Sequence, residues 1–273
     1  MALFVFPVEV TFNVLRSPAS GFVLHLNVRI GLRADTHEFR PKVSFADIAV
    51  IDLKLHDHHL TGSSGDTMAD ERVSHWEEVY REKDDTQLSW HQDDPSISLE
   101  LCDVVGVDNA SSVIDIGGGT SHFAERLIER GLSDVSVLDV SKAALDRSRG
   151  QLGAVGEQIE WIAADVTTWS PERSYDLWHD RAVFHFLVDA DDRSAYRDQL
   201  HRCLLPGSHA IIATFALDGP KKCSGLPIVR YDPEGLCEVL GDRISLVTHR
   251  KHTHHTPWGS SQSFQFSLLR VGQ

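Results

Sequence analysis

Four aspartates and one glycine run are the residues of this chain whose types and spacing are suited to chemistry. Asp115 stands in Val113-Ile-Asp-Ile116, directly before Gly117-Gly-Gly-Thr120. Asp139 lies near the end of Val135–Val140, Asp165 lies in Ala163-Ala-Asp-Val-Thr167, and Asp180 lies in Tyr175-Asp-Leu-Trp-His-Asp-Arg181. An ionised carboxylate only accepts hydrogen bonds, so it suits a pair of ribose hydroxyls, an exocyclic amine or a cationic centre. A ring of such groups repels a triphosphate, and no Lys-Ser/Thr pair follows the glycines to complete a P-loop. Gly117, Gly118 and Gly119 let the backbone pass close to a ligand, and the amides of a helix opening near Thr120 would face it. Asp139 falls twenty positions beyond Gly119, where a ribose-binding acid belongs. Asp165 is placed to accept from the amine of an adenine, with the backbone of Val166 reading a ring nitrogen. Each acid alone is more often a turn or cap residue than a ligand. Four at successive strand ends make the joint reading.

Those strand ends need an alternating chain to position them. Strand-like runs occur at Ser112–Ile116, Val135–Val140, Ile159–Ala163, Tyr175–Trp178, His209–Phe215, Ile244–Arg250 and Ser263–Leu269. Helical spacing occupies Ser121–Arg130, Lys142–Leu152, Arg193–Cys203 and Pro233–Leu240, with Gly131 stopping the first and Pro206-Gly207 ending the third. Five βα units followed by two strands without an intervening helix predict an α/β fold: a doubly wound, seven-stranded, mostly parallel sheet with a C-terminal antiparallel hairpin. In such a sheet ligands bind beyond the carboxyl ends of the strands, at the switch point.

Residues from about 70 to 270 resemble a class I S-adenosylmethionine-dependent methyltransferase of Rossmann-like fold. Val113–Ser121 is similar to that family's first motif, and Leu138-Asp139, Ala164-Asp165-Val166 and Asp176–Asp180 to the next three. Ser121 departs from the glycine many members carry. The resemblance implies S-adenosyl-L-methionine as methyl donor, held by Asp115, Gly117, Gly118, Gly119, Thr120, Asp139, Val140, Asp165, Val166 and Asp180. It further implies that Asp180 and His185 lie at the methyl end, with His185 the candidate base; packing between Phe184 and Phe186 is an equal reading of this histidine. Trp90, Cys223, His254, His255 and Trp258 are candidates for lining the acceptor pocket, the last three from an apparent hairpin turn at 252–259. Trp90 and His91 would close over the cofactor, and Trp76 reads as a helix-face packing residue. His75-Trp-Glu-Glu-Val-Tyr80 with Leu88-Ser-Trp-His91 resembles the lead-in of a methyltransferase-like subgroup, some of whose members methylate protein lysines. Asp180-Arg-Ala-Val-Phe-His185 differs from that subgroup's Asp-Lys-Gly-Thr loop, so lysine specificity does not transfer.

Composition narrows the partners. The formal charge is −14, nearly all of it after Met68, and no basic block suits nucleic acid. Cys102, Cys203, Cys223 and Cys237 lack metal or disulfide spacing, no run is long and apolar enough for a membrane, and no signal peptide opens the chain, so a soluble cytoplasmic protein without a metal is expected. Residues 1–67 lack the consistency of 68–273. They read as an N-terminal extension, either poorly ordered or upstream of a true start at Met68, and His56, His58 and His59 read as loop histidines rather than ligands.

The expected function is therefore methyl transfer to a small-molecule acceptor. A protein lysine methyltransferase, a donor-binding module without catalysis and a dehydrogenase are the rivals. The missing third glycine and the acids at 165 and 180 stand against the dehydrogenase.

Overall fold

The computed structural model describes residues 8–16, 22–30 and 64–273, and side chains from Glu71 onward. The first unit holds β1 (Val8–Arg16) and β2 (Phe22–Ile30), an antiparallel pair in which Val8 faces Ile30 and Arg16 faces Phe22. Residues 56–59, with their histidines, lie outside the described residues.

The second unit opens with α1 (Ser64–Glu82), which starts ahead of Met68, and α2 (Ser96–Val104). A central sheet follows from β3 (Ser112–Ile116), β4 (Asp134–Asp139), β5 (Ile159–Ala163), β6 (Tyr175–Arg181) and β7 (Leu204–Phe215). Helices α3 (Phe123–Glu129), α4 (Lys142–Leu152) and α5 (Ala190–Cys203) connect these strands. A two-residue ladder, β8 (Lys222–Cys223) with β9 (Leu226–Pro227), leads to α6 (Pro233–Leu240) and the closing strands β10 (Ile244–His255) and β11 (Ser261–Val271).

The sheet order is β10-β11-β7-β6-β3-β4-β5, with β3 to β7 parallel and β11 antiparallel to both of its neighbours. This is the doubly wound sheet with a terminal hairpin that the sequence predicts. The chain steps outward from β3 to β5, then returns to place β6 on the other side of β3. The crevice beyond β3 and β6 is the switch point where such sheets bind ligands.

Strand alternation builds the two cores. Val113 packs with Phe123, Leu127 and Leu101 on one face, whereas Ile114 and Ile116 pack with Tyr196, Leu200 and Leu236 on the other. Caps fix where helices begin. Ser141 accepts from Ala144 N at 3.1 Å, and Asp232 accepts from Gly235 N at 2.8 Å with Pro233 in the first turn.

Besides shifts of one to three residues at other element ends, three differences from expectation bear on the site. β6 runs on to Arg181 because it is central: His179 and Asp180 pair with β3 and Arg181 with β7. Pro206-Gly207 sits inside β7 rather than ending a helix; α5 stops at Cys203, and Gly207 takes φ +98° beside a shift in the β6–β7 register. β10 continues through His255, so the histidines expected in a turn are strand residues and the turn is confined to 256–260.

Candidate active site

Two adjoining cavities open at the switch point. The larger takes in about 750 Å³, open solvent at its mouth included. Asp139 and Val140 reach it from the end of β4, Asp165 and Val166 from the end of β5, and Ala182 and Val183 from beyond β6. Trp76 and Tyr80 on α1, with Trp90 and Phe186, form an aromatic wall: Trp76 meets Trp90 edge-on at 5.5 Å and Phe186 at 5.1 Å. The smaller cavity, about 550 Å³, lies along Gly118, Thr120, Ser121 and His91. Tyr80, Trp90, Gly117 and Arg181 border both.

The glycines are required by contact as well as conformation. Gly117 takes φ +65°, and a Cβ there would lie 2.1 Å from Val183 Cγ2. At Gly118 a Cβ would meet Asp115 Oδ2 at 2.7 Å and Val137 Cγ1 at 2.6 Å. Ala182, also in the larger cavity, is held in the left-handed region at φ +74°, where a side chain is strained.

Charge is distributed unevenly. Asp139 is buried, its Oδ1 accepts from Ser141 N at 2.8 Å, and no cation pairs with it among the described residues. Burial, with the charges of Asp115 and Glu77 nearby, pushes its pKa up to about 7. Asp165 is engaged differently: Oδ1 accepts from Thr167 N and Oγ1, while Oδ2 accepts from Arg72 Nε at 3.0 Å. Arg72 also bonds Asp192, which ties α1 to α5 across one edge of the cavity. Beneath the glycines, Asp115 Oδ1 accepts from His179 Nδ1 at 2.6 Å, and His179 Nε2 meets Ser98 Oγ at 2.8 Å.

The comparisons with known proteins agree with this geometry. Residues 113–207 match the family described as Methyltransferase domain. The malonyl-[acyl-carrier protein] O-methyltransferase 2 of Ilyobacter polytropus is 24% identical over 128 residues, covering 45% of this chain and 48% of that protein. The trans-aconitate 2-methyltransferase of Azoarcus sp. (strain BH72) is 31% identical over 126 residues, covering 45% and 47%. The chain thus spans about half the length of the curated relatives it matches. Among solved structures, the Burkholderia thailandensis 1,6-didemethyltoxoflavin-N1-methyltransferase with bound S-adenosylhomocysteine superimposes with TM-score 0.55 at 17% identity, covering 77% of this chain and 89% of that one. A methyltransferase domain is thus matched over residues 113–207, and the solved neighbour shares the fold.

Of the residues expected to hold a donor, Gly117, Asp139, Val140, Asp165 and Val166 line the larger cavity, joined by Trp90 and Cys223. Gly118, Thr120 and Asp115 border the smaller one. Gly119 borders neither; a Cβ there would approach the Tyr80 hydroxyl to 2.6 Å.

Two catalytic assignments are corrected. Asp180 is fully buried and faces away from both cavities: Oδ1 accepts from Val183 N at 2.8 Å, and Oδ2 accepts from Phe184 N at 3.0 Å and Tyr196 Oη at 2.6 Å. It caps the turn after β6. His185 is equally buried; Nδ1 accepts from Phe215 N at 3.4 Å, and the ring packs against Phe186 and Phe215. Burial and the Arg181 charge drive its pKa down to about 3, which keeps the imidazole neutral in the core.

The hairpin candidates also leave the site. His254 is buried and its Nε2 donates to Ser89 O at 2.8 Å, His255 is exposed by strand alternation, and Trp258 is 61% exposed in the turn. Trp76, expected to be only a packing residue, lines the larger cavity. Sequence reasoning passed over Arg72, Tyr80, Arg181 and Phe186 there, and His179 in the smaller one. Tyr80 shares the helical spacing of Val73 and Trp76, which was the available signal; the others announce themselves only through the fold.

Proposed function

We propose that this chain transfers a methyl group from S-adenosyl-L-methionine to a small-molecule acceptor. The observation that carries the reading is Asp139, a buried carboxylate without a cationic partner, turned into a cavity at the switch point of a methyltransferase domain. Ribose hydroxyls are the donors that such a group lacks. The other residues fit the donor as well. Val166 and Ala164 supply an apolar slot for an adenine, and the Gly117 cradle, closed to a side chain by Val183, borders both cavities.

When bound, the donor supplies an electrophilic methyl on a sulfonium sulfur. Trp76, Tyr80, Trp90 and Phe186 present ring faces and edges that exclude water and favour a cation beside them. In-line displacement needs alignment more than acid–base assistance, and the two cavities meeting at Gly117 and Arg181 provide a path for a donor and an acceptor to approach end to end. Among the described residues that line the larger cavity, none next to Arg181 and Cys223 is an evident base. Burial holds the Cys223 thiol up at about 11, so it stays neutral. The acceptor is accordingly a small molecule whose nucleophile reaches the site already ionised, or one that sheds its proton to water.

Residues 68–273 are proposed to act as the catalytic unit, with 1–67 as an extension to it. The four cysteines are free thiols, in keeping with a cytoplasmic setting, and no helix among the described residues is long and apolar enough to cross a membrane.

Titration calorimetry with S-adenosylhomocysteine and with NAD tests the donor; preferential binding of NAD would sink the assignment. A mass-spectrometric screen of small carboxylates, amines and thiols with S-adenosylmethionine tests the acceptor. Methylation confined to peptides or proteins would favour a protein lysine methyltransferase. Tight donor binding with no turnover on any acceptor would favour a binding module.

A further inference from the structure

Arg181 is the last residue of β6 and borders both cavities. In a chain with 40 acids against 26 Lys and Arg, it has no carboxylate partner among the described residues. Its Nη1 donates to Trp90 O at 2.8 Å, its Nε is buried without any partner, and its guanidinium lies 4.9 Å over the ring of Phe264. Burying an unpaired cation is costly, and it persists where a ligand supplies the countercharge.

We propose that Arg181 anchors a carboxylate of the methyl acceptor, which makes the site selective for acidic small molecules. This rests on the small-acceptor reading above. The shared chemistry, a carboxylate on a guanidinium, has two sources: the acceptor, or the amino-acid end of the donor. Placement favours the acceptor. Asp139 and Asp165 mark the donor's adenosine half at β4 and β5, whereas the guanidinium stacks on β11, on the opposite side of β6, beside Cys223. A planar guanidinium held from below by an aromatic ring, with Nη1 on Trp90 O, keeps its Nε and Nη2 edge for bidentate contact. A carboxylate is also ionised at neutral pH without a base, in keeping with the lining of the larger cavity.

The test uses the full chain, wild type, R181K and R181Q. Small mono-, di- and tricarboxylates and their neutral amides are titrated with and without S-adenosylhomocysteine; S-adenosylhomocysteine and 5′-methylthioadenosine, which lacks the amino-acid end, are titrated separately. Wild type is expected to bind at least one carboxylate at least about tenfold more tightly than its amide. R181Q loses that preference, R181K regains part of it, and the affinity for S-adenosylhomocysteine changes less than about threefold in R181Q, because its carboxylate lies elsewhere. Raised ionic strength weakens carboxylate binding to wild type, a readout that needs no variant to fold. Equal binding of acids and amides by wild type overturns the proposal. So does a loss of S-adenosylhomocysteine affinity in R181Q that 5′-methylthioadenosine does not share, since the anion is then the donor's. Failure of S-adenosylhomocysteine to bind wild type sinks the donor reading alone, and the carboxylate titrations without it still decide this one.

Discussion

Replacing Asp139 with Asn should stabilise the ligand-free protein at alkaline pH while weakening its grip on the donor. The folded chain holds the Asp139 proton up to about pH 7, against 3.8 for an ordinary aspartate. The unfolded chain releases it near the ordinary value. Stability contributed by this group is therefore fully present below pH 4 and is lost as the pH rises to about 7. At about 1.4 kcal/mol per pH unit, the ionised form costs the fold about 4 kcal/mol at most. Asn escapes that cost but accepts from Ser141 N more weakly, which returns about 1 kcal/mol. The variant should gain about 1–3 kcal/mol over wild type near pH 8 and close to nothing near pH 5.

Donor binding should move the other way. Two ribose hydroxyls donating to an ionised carboxylate form charge-assisted bonds worth about 1.5–3 kcal/mol, so the variant should lose about ten- to a hundredfold in affinity for S-adenosylhomocysteine near pH 8. Wild-type affinity should tighten as the pH rises through 7, and that of the variant should stay flat. Chemical denaturation at both pH values, with and without S-adenosylhomocysteine, reads both effects in one series. A variant less stable than wild type near pH 8, or one that binds the product as tightly, refutes the assignment of Asp139 as a buried, ligand-facing carboxylate.

Gly117→Ala combines a left-handed backbone with a collision against Val183 Cγ2, and should cost about 2 kcal/mol of stability together with measurable donor binding; unchanged calorimetry would contradict the cradle. Asp180→Asn removes the carboxylate that collects three hydrogen bonds at the turn after β6. It should cost about 2 kcal/mol in denaturation while leaving the dissociation constant for S-adenosylhomocysteine within about threefold, whereas a direct role at the methyl would reverse that pattern. His185→Phe, an aromatic replacement in an aromatic surround, should keep methyl transfer and leave its pH profile unmoved, because the native imidazole is neutral far above its pKa of about 3; loss of turnover with an intact fold would restore it as a base.

The sheet was legible because its strands carry local patterns strong enough to stand alone. Ser112–Ile116, Ile159–Ala163, Lys142–Leu152 and Pro233–Leu240 fall at their expected bounds, each set by apolar periodicity and a capping or turn residue nearby. The β4–β5 side of the larger cavity was legible for a related reason: Asp139, Asp165 and Gly117 owe their places to strand ends, which a sequence marks. The other side of the site is assembled from side chains that meet only in three dimensions. Trp76 and Tyr80 come from α1, Trp90 from the loop before α2, and Arg181 and Phe186 from the end of β6 and the turn beyond it. No spacing rule links them.

The misassigned roles share one cause, the alternation of side chains along a strand. His179, Asp180 and Arg181 are consecutive, and the pleat sends them to alternate faces. His179 lies opposite Asp115 in the β3 register, so the first acid of the glycine motif turns to a neighbouring imidazole, whose other nitrogen meets Ser98 along the smaller cavity. Asp180 goes to the opposite face, meets Tyr196 of α5 and braces the turn. Arg181 returns to the first face at the open end of the strand, where the sheet no longer covers it, and so reaches both cavities. A motif read as a string of acids assigns the chemistry to Asp180. The strand period assigns the turn to Asp180 and, under the carboxylate proposal, the ligand to Arg181, which would invert the charge facing the acceptor from negative to positive and with it the kind of molecule admitted there.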